Sequence, residues 1–214
     1  RMEATKVVNL CLTGFGPFGD IANNPTMELI QDFDVSQVKI EEGVTLNLKN
    51  KETVDVDIDS VNSALDRVHD HLDDHGDDST QNLIVHLGVN SSITSINLEK
   101  RGVNLNNFSI PDGQGNQPQD DNIDKGEEKD HFYHTRVDVD AICIKLQDSS
   151  HDCTDSSDAG NYICNYTYYC SLKEFNEFEN IHVIFIHVPN FENQDKEKQI
   201  RCIYDFISHW IKST

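Results

Sequence analysis

The chain reads as an α/β protein: a three-layer α/β/α sandwich built on a largely parallel, twisted central sheet with helices on both faces. Three observations predict this. Apolar, β-branched runs at residues 6–13 (KVVNLCLT), 81–87 (QNLIVHL) and 181–188 (IHVIFIHV) are nearly free of charge, as strands covered on both faces are. Each run stops at a breaker, Gly14, Gly88 or Pro189. Helical patterns alternate with them along the chain, so Thr13, Leu87 and Val188 should end at a common rim, where open α/β sheets put their chemistry.

The 214 residues, 36% hydrophobic, suffice for a single domain spanning 1–214. A formal net charge of −21 argues against nucleic-acid and anionic-membrane partners, which need clustered Lys and Arg. No apolar run approaches membrane-spanning length. Residues 1–5 read as a flexible lead without a signal-peptide cleavage pattern. The expected setting is therefore cytoplasmic and reducing, with the six cysteines (Cys11, Cys143, Cys153, Cys164, Cys170, Cys202) as free thiols. Their spacing forms no C-x-x-C pair and no zinc-like pattern with His, so neither metal nor cofactor is expected. The sequons at Asn90, Asn107 and Asn165 are chance matches in such a setting.

The first strand runs into Gly14-Phe15-Gly16-Pro17-Phe18-Gly19. This satisfies G-x-G-x-x-G, but a dinucleotide site needs a helix opening within the glycines, whereas here the helix signals come later, with Asn24 as N-cap and Pro25 at the first helical position. The two phenylalanines either form an apolar slot for a small flat group or plug the edge of the core. A short helix is predicted over 26–33. Residues 38–56 read as extended segments around a Lys/Asn-rich turn, and residues 54–59 alternate with period two. Asp55, Asp57 and Asp59 have the spacing of a calcium loop, but its sixth position is Ser60 and its twelfth Asp66, so strand alternation is the simpler reading.

Val61, Leu65, Val68 and Leu72 give a helix over 60–72, closed by an acidic solvated loop at 73–78. Residues 93–103 have β character and carry Glu99, which by residue type faces solvent more often than not. A loop begins at residues 110–115, and residues 116–131 are polar, turn-rich and expected to be mobile. A helix over 137–146 should present Val137, Ala141, Ile144 and, near its edge, Cys143. Residues 147–155 are an acidic connection. The small polar turn Asp158-Ala159-Gly160 then leads into an aromatic helix, with Cys164 in its first turn. There a thiol is either a buried structural group or a nucleophile favoured by the helix terminus. His187 ends the third strand and is likewise either a core imidazole or part of a site at the rim. An amphipathic helix over 199–212 presents Ile200, Ile203, Phe206, Ile207 and Trp210 on one face.

Four blocks together resemble the pyroglutamyl peptidase I (pyrrolidone-carboxylate peptidase) family of cysteine omega peptidases. They are Gly14 to Gly19, Leu98-Glu99-Lys100 with Asn104, Asp158-Ala159-Gly160-Asn161-Tyr162-Ile163-Cys164-Asn165, and Phe185-Ile186-His187-Val188-Pro189. They occur in the family's order and span the chain from Val7 to Asn190. The resemblance implies a catalytic triad of Cys164, His187 and Glu99. It also implies that Phe15 and Phe18 receive the pyrrolidone ring, that Ile110, Tyr162 and Ile163 complete the slot, and that backbone near Val89 and at Ile163 binds the lactam edges. Peptides with an N-terminal pyroglutamate are the implied partners. The chain departs from many bacterial members at Gly16 (Asp), Ser109 (Arg) and Val89 (Gln), and looks closer to the animal-type branch there. A non-catalytic pyroglutamyl-peptide binder, or a related α/β hydrolase or phosphorylase in which Cys164 is structural, are the alternative readings. Oligomeric state is left open.

Overall fold

The computed structural model describes residues 6–19, 21–72 and 80–214; the expected flexible lead at 1–5 and the acidic loop at 73–78 lie outside the described residues. A six-stranded sheet has the order β2-β1-β3-β8-β4-β7, with β1 at Lys6–Phe15, β2 at Val44–Val54, β3 at Thr80–Val89, β4 at Ile96–Glu99, β7 at Cys153–Ser156 and β8 at Ile181–Val188. β1 pairs in parallel with β2 and β3, and β3 with β8, so their carboxyl ends share the expected rim. β4 runs antiparallel to β8 and parallel to β7. A separate ribbon pairs β5 (Arg101–Val103) with β6 (Phe132–His134).

The pleat sorts side chains into two cores. Val8, Leu10, Leu12, Leu83, Val85, Leu87, Ile184, Ile186 and Val188 pack on one face under α1 (Pro25–Asp32), α3 (Val139–Asp148) and α5 (Lys196–Ser213). Cys11, Ile84, Val183 and Phe185 pack on the other under α2 (Ile58–His71) and α4 (Ile163–Glu174). This is the three-layer sandwich that the apolar runs implied. His86 joins the second face to its helix: Nδ1 meets Thr13 Oγ1 at 2.7 Å and Nε2 meets Ser171 Oγ at 2.9 Å, linking β1, β3 and α4.

Several local expectations are corrected. Residues 44–54 form one continuous strand rather than two around a turn. The Lys/Asn-rich piece is absorbed by a register shift in which pairing with β1 passes from Leu48 to Asn50 and skips Lys49. The alternation at 54–59 is not a strand: β2 ends at Val54 and Asp57 caps α2, its Oδ1 accepting from Ser60 N at 2.8 Å. The inward stripe of α3 is Val139, Ile142, Cys143 and Leu146, while Ile144 is exposed, because the helix starts two residues later than its pattern suggested. The acidic connection at 147–155 delivers the edge strand β7. The 93–103 segment breaks at Lys100 into strands of two different sheets. Asn24 caps α1 as expected, with Pro25 at its first turn.

Candidate active site

The pleat decides which rim residues can meet. His187 shares the parity of Val183 and Phe185, so it projects from β8 toward α4. On β4, Ile96 and Leu98 enter the opposite core, which turns Glu99 toward the α4 face as well. In the antiparallel register Glu99 lies opposite Phe185 and Asn97 opposite His187, making Glu99 and His187 diagonal neighbours. Their side chains close to 2.8 Å between Oε1 and Nδ1, with Glu99 1% and His187 4% exposed. The other Glu99 oxygen has no partner among the described residues. Tyr168, fully buried on α4, donates to the Glu99 carbonyl at 2.7 Å. Lys100 fixes the strand beyond it, bridging Asp140 at 2.6 Å and Asp155 at 2.8 Å.

Cys164 is half-buried and is the second residue of α4. The turn before it carries Gly160 at φ +80°, a left-handed conformation that glycine adopts without strain, and Gly160 N donates to Asp158 Oδ1 at 3.0 Å. The N-cap, Tyr162, offers no side-chain acceptor. The first-turn N–H groups of Ile163, Cys164 and Asn165 therefore have no acceptor among the described residues and stay available at the start of the helix that carries the thiol. Asn165 holds the helix start in place: its Nδ2 donates to the Val103 and Leu105 carbonyls and its Oδ1 accepts from Val103 N. Opposite the thiol, Gly88 leaves the space the sulfur needs. A Cβ there would lie 2.9 Å from Cys164 Sγ and 2.7 Å from the Phe185 ring.

With Nδ1 engaged by Glu99, Nε2 is the ring nitrogen left for Cys164, whose side chain acts on the charge of the imidazole. Burial works against charge on this imidazole, but the hydrogen bonds and charges of Cys164 and Glu99 outweigh it and raise its pKa to about 10. The ring is thus held ready to carry a proton beside the thiol. Carboxylate, imidazole and a thiol at a helix N-terminus are the parts of a cysteine nucleophile system.

The model of the pyroglutamyl peptidase family matches residues 8–203. The chain is 30% identical over 185 residues to the pyrrolidone-carboxylate peptidase of Thermococcus litoralis, covering 86% of this chain and 77% of that one. It is 26% identical to that of Vibrio campbellii, covering 86% and 79%. The chain belongs to the pyroglutamyl peptidase family. Its fold matches the solved Thermococcus litoralis pyrrolidone carboxyl peptidase with a TM-score of 0.80 at 24% identity, covering 95% of this chain and 93% of that one. It also matches pyroglutamyl peptidase I of Bacillus amyloliquefaciens with a TM-score of 0.78 at 21% identity, covering 95% and 97%.

The other residues implied by the resemblance to this family are arranged unevenly around the thiol. Phe15 and Ile163 are buried in the core on the α4 face. Phe18 is partly exposed, and its ring lies 5.9 Å from that of Tyr162. Val89 ends β3 with the parity of Leu87, so its side chain belongs to the far face and only its backbone is at the rim. Ile110 is 50% exposed at the outer edge, and the loop reaches the site through its neighbour, Tyr162 Oη donating to Pro111 O at 3.2 Å. Sequence reasoning missed Phe108, which is fully buried and packs its ring 4.6 Å from Tyr162, forming the floor under that ring. It also missed the steric role of Gly88, although the glycine ending that strand was visible. Asn165, read as a chance sequon and as the last residue of the Asp158 to Asn165 block but given no role of its own, is buried.

Proposed function

We propose that this chain hydrolyses the amide bond after an N-terminal pyroglutamyl residue, with Cys164 as nucleophile, His187 as acid and base, and Glu99 as its orienting partner. Membership of the pyroglutamyl peptidase family supports the reaction, and the buried Glu99–His187 pair, whose imidazole charge Cys164 helps to favour, is the observation that carries the mechanism. The Cys164 thiolate attacks the pyroglutamyl carbonyl carbon. The oxyanion that forms draws on the free N–H groups at the start of α4. As the C–N bond breaks, imidazolium Nε2 gives its proton to the departing amine, leaving a thioester on Cys164. Neutral His187 then takes a proton from water, whose oxygen attacks the thioester and releases free pyroglutamate and the thiolate. Glu99 keeps Nδ1 protonated throughout, so Nε2 is the nitrogen that exchanges protons.

Selectivity follows from what the ring lacks. Pyroglutamate is a flat, neutral lactam, so a slot built from Phe15, Phe18, Tyr162 and Ile163 takes it without burying a charge, whereas the charged amine of an N-terminal proline must be desolvated. Backbone groups at Val89 and Ile163 that would meet the lactam N–H and C=O lose a partner when proline takes the slot, which sharpens the difference. A fluorogenic pyroglutamyl amide assayed beside its prolyl analogue tests this. Cleavage of the first, with the second slower by about 10⁴-fold or more, is expected. Comparable rates would contradict the lactam slot.

A further inference from the structure

Loop 108–117 crosses from the ring slot to the start of α2, and one buried side chain holds it there. Asp112, 5% exposed, spends both carboxylate oxygens on N–H donors. Oδ1 accepts from Gln114 N at 3.0 Å and Asn116 N at 2.8 Å, folding the loop around the carboxylate. Oδ2 accepts from Asn116 Nδ2 and from Ile58 N, both at 3.1 Å. Ile58 is the first residue of α2, whose N-cap Asp57 already serves Ser60, so Asp112 satisfies a different orphan donor of the same terminus. Two further straps run in parallel: Gly113 N to Val56 O at 2.8 Å and Gln114 Nε2 to Asp57 Oδ1 at 3.1 Å. Burial alone would raise the Asp112 pKa, but these donors hold its carboxyl below the usual range, so it stays ionised while the site works.

At its other end the loop meets the slot. Pro111, one residue before Asp112, presents the carbonyl that accepts the hydrogen bond of the Tyr162 phenol. Phe108 wedges under the same ring, and the side-chain amides of Gln117 and Gln119 hold the Phe108 carbonyl at 3.1 and 2.7 Å. The Tyr162 ring is therefore fixed from below by Phe108 and at its tip by a carbonyl whose position is set by Asp112.

We propose that Asp112 is a positioning residue for ring recognition: by fastening loop 108–117 to α2, it fixes Pro111 and hence the Tyr162 face of the slot, without acting on the nucleophile. This rests on the pyroglutamyl-slot reading above and adds the residue that sets the slot's width. The path differs from the one that arms the thiol, since Glu99 and His187 reach Cys164 from β4 and β8. Asp112 should accordingly govern KM, and the catalytic trio kcat.

The test compares D112N, Y162F and their double variant on a fluorogenic pyroglutamyl amide, alongside the rate of Cys164 alkylation by iodoacetamide. Y162F keeps the aromatic face, removes only the link to Pro111 and disturbs no buried charge, so it stands even if D112N folds poorly. Each single variant should raise KM by about 10-fold with kcat within about 3-fold, and leave alkylation within about 2-fold of the parent. The double variant should be no worse than the more affected single one, because both changes cut one connection. Unchanged KM in Y162F, multiplicative losses in the double variant, or alkylation falling in step with turnover would each overturn the proposal. A parent protein that alkylates normally but does not cleave the pyroglutamyl amide would overturn the slot reading itself, and this inference with it.

Discussion

Glu99 Oε1 and His187 Nδ1 lie 2.8 Å apart across two antiparallel strands, both side chains almost wholly buried. Neither strand end could supply this pair alone: β4 must run against β8 for Glu99 to fall diagonally beside His187. The contact keeps Nε2 for the sulfur, and the carboxylate helps hold the imidazole charged.

His187 has its pKa raised to about 10, so the proton that the proposed mechanism gives to the leaving amine is lost only as pH rises through that region. In Glu99→Gln the supporting charge is gone and the basic limb of kcat/KM should move to lower pH by at least one unit, with kcat falling by about 10- to 100-fold. A pH–rate profile of both proteins checks this. An unmoved basic limb would remove Glu99 from the tuning of His187.

Gly88→Ala should leave KM close to the parent value and lower kcat by about 100-fold, because the new methyl displaces Cys164 Sγ from its line with His187. The same methyl meets Phe185, so Gly88→Ala with Phe185→Leu separates the two collisions. The double variant should regain stability without regaining kcat; full recovery would place the fault in the Phe185 packing instead.

Asn165→Ala removes three hydrogen bonds and deprives the half-buried Val103 N and Leu105 O of their side-chain partner. Urea unfolding should show a loss of about 2–4 kcal/mol, well above an ordinary surface substitution. A change below about 1 kcal/mol would mean that β5 is held by other contacts.

Acid stability should report two neutral imidazoles, His86 buried and His182 half-buried. Burial pushes His86 down to about 3 and His182 down to about 4. Each binds a proton in the unfolded chain below the ordinary histidine pKa of about 6.5 but not yet in the folded one, so stability falls with pH from that point until the folded group titrates. Between pH 6 and 4.5, His182→Gln should flatten the dependence of unfolding free energy on pH by roughly one proton. An unchanged slope would show that His182 is protonated in the folded state.

The architecture was legible because three strands are apolar on both faces and end at breakers, and that signature survives without knowledge of their neighbours. Cys164 was legible as a thiol at a helix start. Glu99 was not legible from local sequence: its burial depends on the reversed direction of β4 and on Tyr168 and Lys100 fixing that strand, and only the resemblance singled it out. The misread stretch at 54–59 had a helix-capping aspartate inside an alternating pattern, and a capping side chain has the same one-letter signature as a strand's outward residue. β6 and β7 are only 3 and 4 residues long, too short to develop periodicity, and are specified by pairing partners distant in sequence. Phe108 and Asp112 act on the slot through a loop whose course is set by hydrogen bonds to α2, which no spacing rule encodes.

The most direct test of the central claim is turnover of a pyroglutamyl amide by Cys164→Ala, with its fold checked by circular dichroism against the parent. The nucleophile assignment requires a folded variant without detectable turnover that still binds the product ring, since the slot is untouched. Undiminished turnover by the folded variant would contradict it.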